Sequence, residues 1–206
     1  MPSRDRQPKQ VLLFSGHMID RRDRPQPRFP PQMEQEVKAK IQVILDQLDA
    51  SAQDLAIAPG IACGGDILFL EACLQRQIPI VVYLPFEPDE FIAQSVSFAG
   101  NNWVERFAQI ESHALVTVNL QPKVLGQLPA GENPYERNNL WALESSSIYG
   151  SERIRLIVLW DGQGGDGQGG TFDMVERVRQ LGGTVNHLNT TKFDYWQKVD
   201  LARSGE

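Results

Sequence analysis

The chain has little cysteine, little histidine and no long apolar run. Cys63 and Cys73 are its two thiols among 206 residues, and they form no Cys-x-x-Cys spacing. That excludes a disulfide framework and a four-cysteine zinc site. His17, His113 and His187 show no ligand spacing, so no metal is expected. The longest apolar runs, such as Leu156 to Trp160, fall far short of the roughly 20 residues of a membrane-spanning helix. No apolar stretch precedes a small-residue cleavage site near the N-terminus, so no secretory leader is expected. The reading is a cytoplasmic protein. No glycine loop ends in Gly-Lys-Ser/Thr, which excludes a Walker A phosphate loop.

What is present is ordinary in total and uneven in distribution. Hydrophobic residues make up 41% and charged residues 22%, the mix of a globular chain. At about 100–200 residues per domain, one domain is expected over 1–206, with 1–9 and 190–206 as peripheral tails. The net charge of −6 divides sharply: residues 1–31 carry seven Lys/Arg against three Asp, +4, which leaves −10 for the remainder. An acidic body disfavours nucleic acid, whose affinity rests on many cations. Six glycines fall between Asp161 and Gly170.

Short apolar segments alternate with helical patterns. Val11–Phe14, Leu55–Ala58, Ile78–Leu84, Ala114–Leu120, Ile154–Trp160 and Thr184–Leu188 read as strands. Residues 17–31 are Arg- and Pro-rich and read as a loop. Val37, Ile41, Ile44, Leu45 and Leu48 share one helical face. Helices are also expected from Asp66 to about Gln77, over 89–96 and 102–111, from Asn133 to about Tyr149, and from Thr171 to Gly182-Gly183. Asn133-Pro134-Tyr135-Glu136 reads as N-cap, N1 proline and N3 acid; residues 121–133 read as a loop. This order predicts an α/β fold: a three-layer sandwich around a mostly parallel sheet of about six or seven strands. The strands are apolar throughout, as expected where both faces are covered. Ligands of such sheets bind beyond the carboxyl ends of the strands.

Two glycine-rich loops leave those ends and open helices: Pro59 to Asp66, and Asp161 to Thr171. Glycine admits backbone amides close to an anion, and a helix N-terminus adds positive potential. Gly162, Gly164 and Gly167 match G-x-G-x-x-G formally. They follow the fifth strand rather than the first, and no acid stands about 20 positions on, so the dinucleotide fingerprint is not met.

Gly60-Ile-Ala-Cys-Gly-Gly-Asp66, then Glu71-Ala72, then Ile78 to Pro85, resembles the SLOG superfamily, which includes the LOG (Lonely Guy) and DprA proteins. Tyr135-Glu-Arg-Asn-Asn139, a strand, and Gly169-Gly170-Thr171 resemble the second half of the LOG pattern. The likeness runs over roughly residues 10–190. It implies a Rossmann-like domain that binds a nucleotide or nucleotide-derived ligand, with Arg137 as the family arginine and Gly169, Gly170 and Thr171 as the phosphate loop. LOG enzymes place a catalytic Glu three residues after that threonine; here the position is Met174. Asp173 and Glu176 flank it, turned away by about 100° and 200° on a helix.

The expected function is therefore binding or sensing of a nucleotide, such as an NAD- or ADP-ribose-like ligand, without robust catalysis and with no required cofactor. The expected contacts are Ser15, Gly16, His17, Gly64, Gly65, Asp66, Arg137, Asp161, Gly169, Gly170 and Thr171. The alternative is a LOG-like nucleoside-monophosphate N-glycosidase using Asp173 or Glu71. DprA-like binding of single-stranded DNA ranks third. Partners implied by the resemblance are a second copy of the chain or a separate effector. Plainer roles stand beside several residues: Asp66 as a helix cap, Asp161 as a turn former, His17 as surface.

Overall fold

The computed structural model describes residues 7–164 and 170–197. Its centre is a six-stranded, wholly parallel sheet. The strands are β1 (Val11–Gly16), β2 (Leu55–Ala58), β3 (Ile80–Leu84), β4 (Val116–Leu120), β5 (Ile154–Trp160) and β6 (Thr184–Asn189). Their order across the sheet is β4-β3-β2-β1-β5-β6. The chain builds outward from β1 to β4, then returns to lay β5 on the other side of β1. The order therefore reverses between β1 and β5, where Leu13 pairs with Ile57 on one side and Leu156 on the other.

Helices cover both faces: α1 (Glu34–Gln47), α2 (Gly65–Gln75), α3 (Pro88–Ser95), α4 (Asn101–Glu111), the single turn α5 (Gln121–Val124), α6 (Pro134–Ser147) and α7 (Thr171–Gln180). Alternate residues of each strand point to opposite layers. Leu12, Phe14, Ala56, Ala58, Ile157 and Leu159 join α1–α4 in the larger core. Val11, Leu13, Ile57, Leu156 and Val158 join Ala142, Leu143, Met174, Val175 and Val178 of α6 and α7 in the smaller. The expected α/β three-layer sandwich is the observed one.

Differences from the expected boundaries have local causes. The third strand begins at Ile80 rather than Ile78: Pro79 accepts from the Ala56 amide at 2.9 Å but has no N–H to donate to a ladder. The first strand runs two residues further, because Ser15 and Gly16 pair with Val158 and Leu159. Asn133 caps α6 as read, its side chain accepting from the amides of Tyr135 and Glu136. The expected tails are partly docked. The Arg153 guanidinium donates to the Pro8 carbonyl at 2.8 Å, and the Glu36 carboxylate accepts from the amides of Asp194 and Tyr195. Phe193 is 3% exposed. Among the described residues no helix is long and apolar enough to cross a membrane.

Candidate functional site: a crevice at the reversal of strand order

A crevice of about 380 Å³ opens at the carboxyl edge of the sheet. Ser15 and Gly16 form its floor, the turn through Ala62 and Asp66 one wall, and Gly170 and Thr171 the opposite wall. Phe91, Gln94 and Ser95 of α3 and Tyr135 near the start of α6 border it above. This is where strand order reverses, the place where open α/β sheets bind ligands.

Close backbone packing brings these walls together. A Cβ on Gly16 would stand 2.8 Å from the Leu159 Cβ, so only glycine lets the end of β1 lie this near β5. Gly64 has φ +114°, a left-handed conformation, and a Cβ there would stand 2.6 Å from the Ile19 amide nitrogen. Its neighbour Gly65 donates its amide to the His17 carbonyl at 3.1 Å. The loop after β2 is thus sewn to the loop after β1.

His17 is 4% exposed and lies beneath the crevice rather than in its lining. Its amide donates to the Leu159 carbonyl at 2.9 Å. Its Nε2 accepts from the Asp161 amide at 3.1 Å, with the Asp161 carboxylate 3.5 Å away. His17 therefore ties the ends of β1, β2 and β5 to one another, and the acidic neighbour that spacing could not name is Asp161. Asp161 also accepts from the Gln163 amide at 3.0 Å, the turn-forming role.

Thr171 is the first residue of α7, with Gly170 at the N-cap. Its Oγ1 lies 3.3 Å from the Ser15 Oγ. The leading amides of a helix have no carbonyl partner within it, and the N-cap of α7, Gly170, supplies no side-chain acceptor to them. Backbone donors and two hydroxyls therefore gather on one side of the crevice. Gly169 lies outside the described residues.

Asp66 stands on the other side. Its Oδ2 accepts from the Ala62 amide at 3.1 Å, which satisfies a backbone donor of the turn. The residue is partly exposed and lines the crevice. Its dense surroundings push the carboxyl up to about 7, against the opposing pull of the Ala62 hydrogen bond. It sits inside the first turn of α2, behind Gly64, rather than at the cap position.

Besides His17 and Asp161, three more of the expected residues sit outside the crevice lining. The Arg137 guanidinium donates to the carbonyls of Leu125, Gly126 and Gln127 at 2.7–3.3 Å, so its cation is spent on the loop after α5 rather than on the crevice. Glu71 takes both ends of the Arg106 fork at 2.7 and 2.8 Å, and Glu34 takes a third guanidinium nitrogen. That cluster joins α1, α2 and α4. Asp173 accepts from Arg177 one turn along α7 at 2.9 Å. Met174, where the LOG pattern has its Glu, is 1% exposed in the core.

Other lining residues carried no sequence signal strong enough to select them. Tyr135 reaches across to α3, its hydroxyl donating to Gln94 Oε1 at 2.9 Å and lying 3.3 Å from Ser95 Oγ. Gln94 and Ser95 sit on an amphipathic helix with no motif. Asn139 lines the crevice, while its fully buried neighbour Asn138 donates to the carbonyls of Pro59 and Tyr83 and fixes the ends of β2 and β3. Cys63 and Cys73 are buried free thiols; burial holds Cys63 at about 12 and Cys73 higher still, so neither is a nucleophile. Among the described residues no group of three or more His, Cys, Asp or Glu could hold a metal.

Searches against protein-family models and against curated proteins find no match to this chain.

Proposed function

We propose that the chain binds a nucleotide or nucleotide-derived ligand in this crevice, as a cytoplasmic, SLOG-like sensor rather than an efficient hydrolase. The observation that carries the reading is the meeting of β1 and α7 at the reversal of strand order. There Gly170 and Thr171 present a helix N-terminus toward Ser15 and Gly16, a setting suited to phosphate. Tyr135, 38% exposed, offers ring surface for a base, and Asp66 offers a carboxyl acceptor for ribose hydroxyls. The reading needs no cation from Arg137; backbone amides and hydroxyls are sufficient donors for phosphate. The absence of a LOG-type Glu, with Met174 in the core, favours binding over cleavage. A second copy of the chain or a separate effector would carry the signal onward.

One observation favours the N-glycosidase as a second reading. Asp66 is a crevice-lining carboxyl held at about 7, a value suited to proton transfer near neutral pH. Neither Glu71 nor Asp173 is needed for it.

Calorimetric titration with AMP, NAD and ADP-ribose, with chromatography for released base, tests both. Saturable binding without base release is expected, and Gly170→Val should abolish the binding. Affinity unchanged in Gly170→Val would overturn the site. Base release lost in Asp66→Asn would replace the sensor by the hydrolase.

A further inference from the structure

A second cavity, of about 450 Å³, opens near the ends of β5 and β6. Arg24 and Arg28 of the loop after β1 bound it, with Asp161 and Gln163 after β5 and Thr190 and Trp196 after β6. It shares no lining residue with the first crevice.

Its walls are fixed by their own hydrogen bonds. Asp20 accepts from the amides of Arg28 and Phe29, both at 2.7 Å, and sits 3.3 Å from the Arg24 Nε. Trp196 Nε1 donates to the Thr190 carbonyl at 2.8 Å. The Asp161 carboxylate is engaged by the Gln163 amide and lies beside His17. The loop from Asp20 to Arg28 holds four Arg against two Asp. Thr190 is 1% exposed, yet its Oγ1 has no hydrogen-bond partner among the described residues. Buried hydroxyls are normally satisfied, so an unmet one in the wall of a cavity is a donor left over for a group bound beside it.

We infer that this cavity binds a phosphate group, with Arg24 and Arg28 as its cationic wall and Thr190 Oγ1 donating to a phosphate oxygen. Two guanidinium groups and a hydroxyl suit an acceptor with several oxygens. Asp161 bounds the opposite, β5 side. The phosphate arrives either as the free ion or as part of a larger ligand, and the inference does not depend on what the first crevice holds.

The test compares wild type, Arg24→Gln, Thr190→Val and Gly170→Val by calorimetry and thermal melting, first with inorganic phosphate and then with ADP-ribose. Inorganic phosphate should bind saturably and raise the Tm of wild type and Gly170→Val. Arg24→Gln and Thr190→Val should each weaken it by about tenfold. Thr190→Val, close to isosteric, should also melt no lower than wild type without phosphate, because it removes an unmet polar group. If Thr190→Val weakens ADP-ribose as well, the phosphate belongs to that larger ligand; if only inorganic phosphate weakens, the free ion is the occupant. Phosphate binding lost in Gly170→Val and retained in Thr190→Val would place the ion at α7 and overturn the inference. So would the absence of any phosphate response together with unchanged ADP-ribose affinity in Thr190→Val.

Discussion

The Ser15 Oγ and the Thr171 Oγ1 lie 3.3 Å apart, joining the end of the central strand to the first residue of α7. Both side chains are under a tenth exposed, so the pair presents a fixed hydroxyl surface to the crevice. Thr171→Val keeps the shape and removes the donor. It should weaken ADP-ribose by about five- to tenfold while costing about 1 kcal/mol of stability, one hydrogen bond's worth. Calorimetry and urea unfolding check the two figures; undiminished affinity would remove Thr171 from the site.

Asp66 makes stability depend on pH in a defined direction. Its carboxyl rises from 3.8 to about 7 on folding, chiefly through burial. Between those values the folded chain holds a proton that the unfolded chain has released. Stability therefore falls as pH rises through that window, and the whole cost is present above pH 7. Asp66→Asn should stabilise the protein at pH 8 by on the order of 1–3 kcal/mol, with the advantage gone near pH 4. Urea midpoints at the two pH values check this; a larger gain at pH 4 would contradict it.

Gly64 is required by conformation and by space. Gly64→Ala would set a Cβ against the Ile19 amide at a φ of +114°. The expected cost is more than about 2 kcal/mol, read as a lowered urea midpoint. An unchanged midpoint would mean that the turn re-forms elsewhere.

Arg137 holds a loop. Removing its guanidinium in Arg137→Ala frees three carbonyls of residues 125–127. Limited proteolysis there should accelerate several-fold, while ligand affinity changes less than about threefold. Loss of all binding with an intact loop would restore the arginine to the crevice.

Strand positions were legible because a buried parallel strand is an uninterrupted apolar run between turn residues; β2 and β5 begin and end where their apolar segments do. Gly16, Gly64, Gly170 and Thr171 were legible because close approach and a helix start leave local marks. Arg137, Glu71 and Asp173 were not. Each partner is another side chain or a carbonyl, chosen by tertiary packing, and residue type alone does not say which. The Tyr135–Gln94 link was hidden for the same reason: α3 and α6 meet only once the sheet has ordered them.

β1 pairs with β5 about 140 residues later in the chain, Val11 opposite Ile154. Synthesis therefore delivers strands β1 to β4 with one edge of the central strand still unpaired. That edge is apolar and offers a row of open backbone donors and acceptors. It is closed only when residues 154–160 emerge, a contact of high sequence separation and thus a slow one. Shortening the chain before β5 leaves four of the six strands with an adhesive margin, a species prone to aggregation. The crevice is accordingly completed late, only once β5 and α7 have docked.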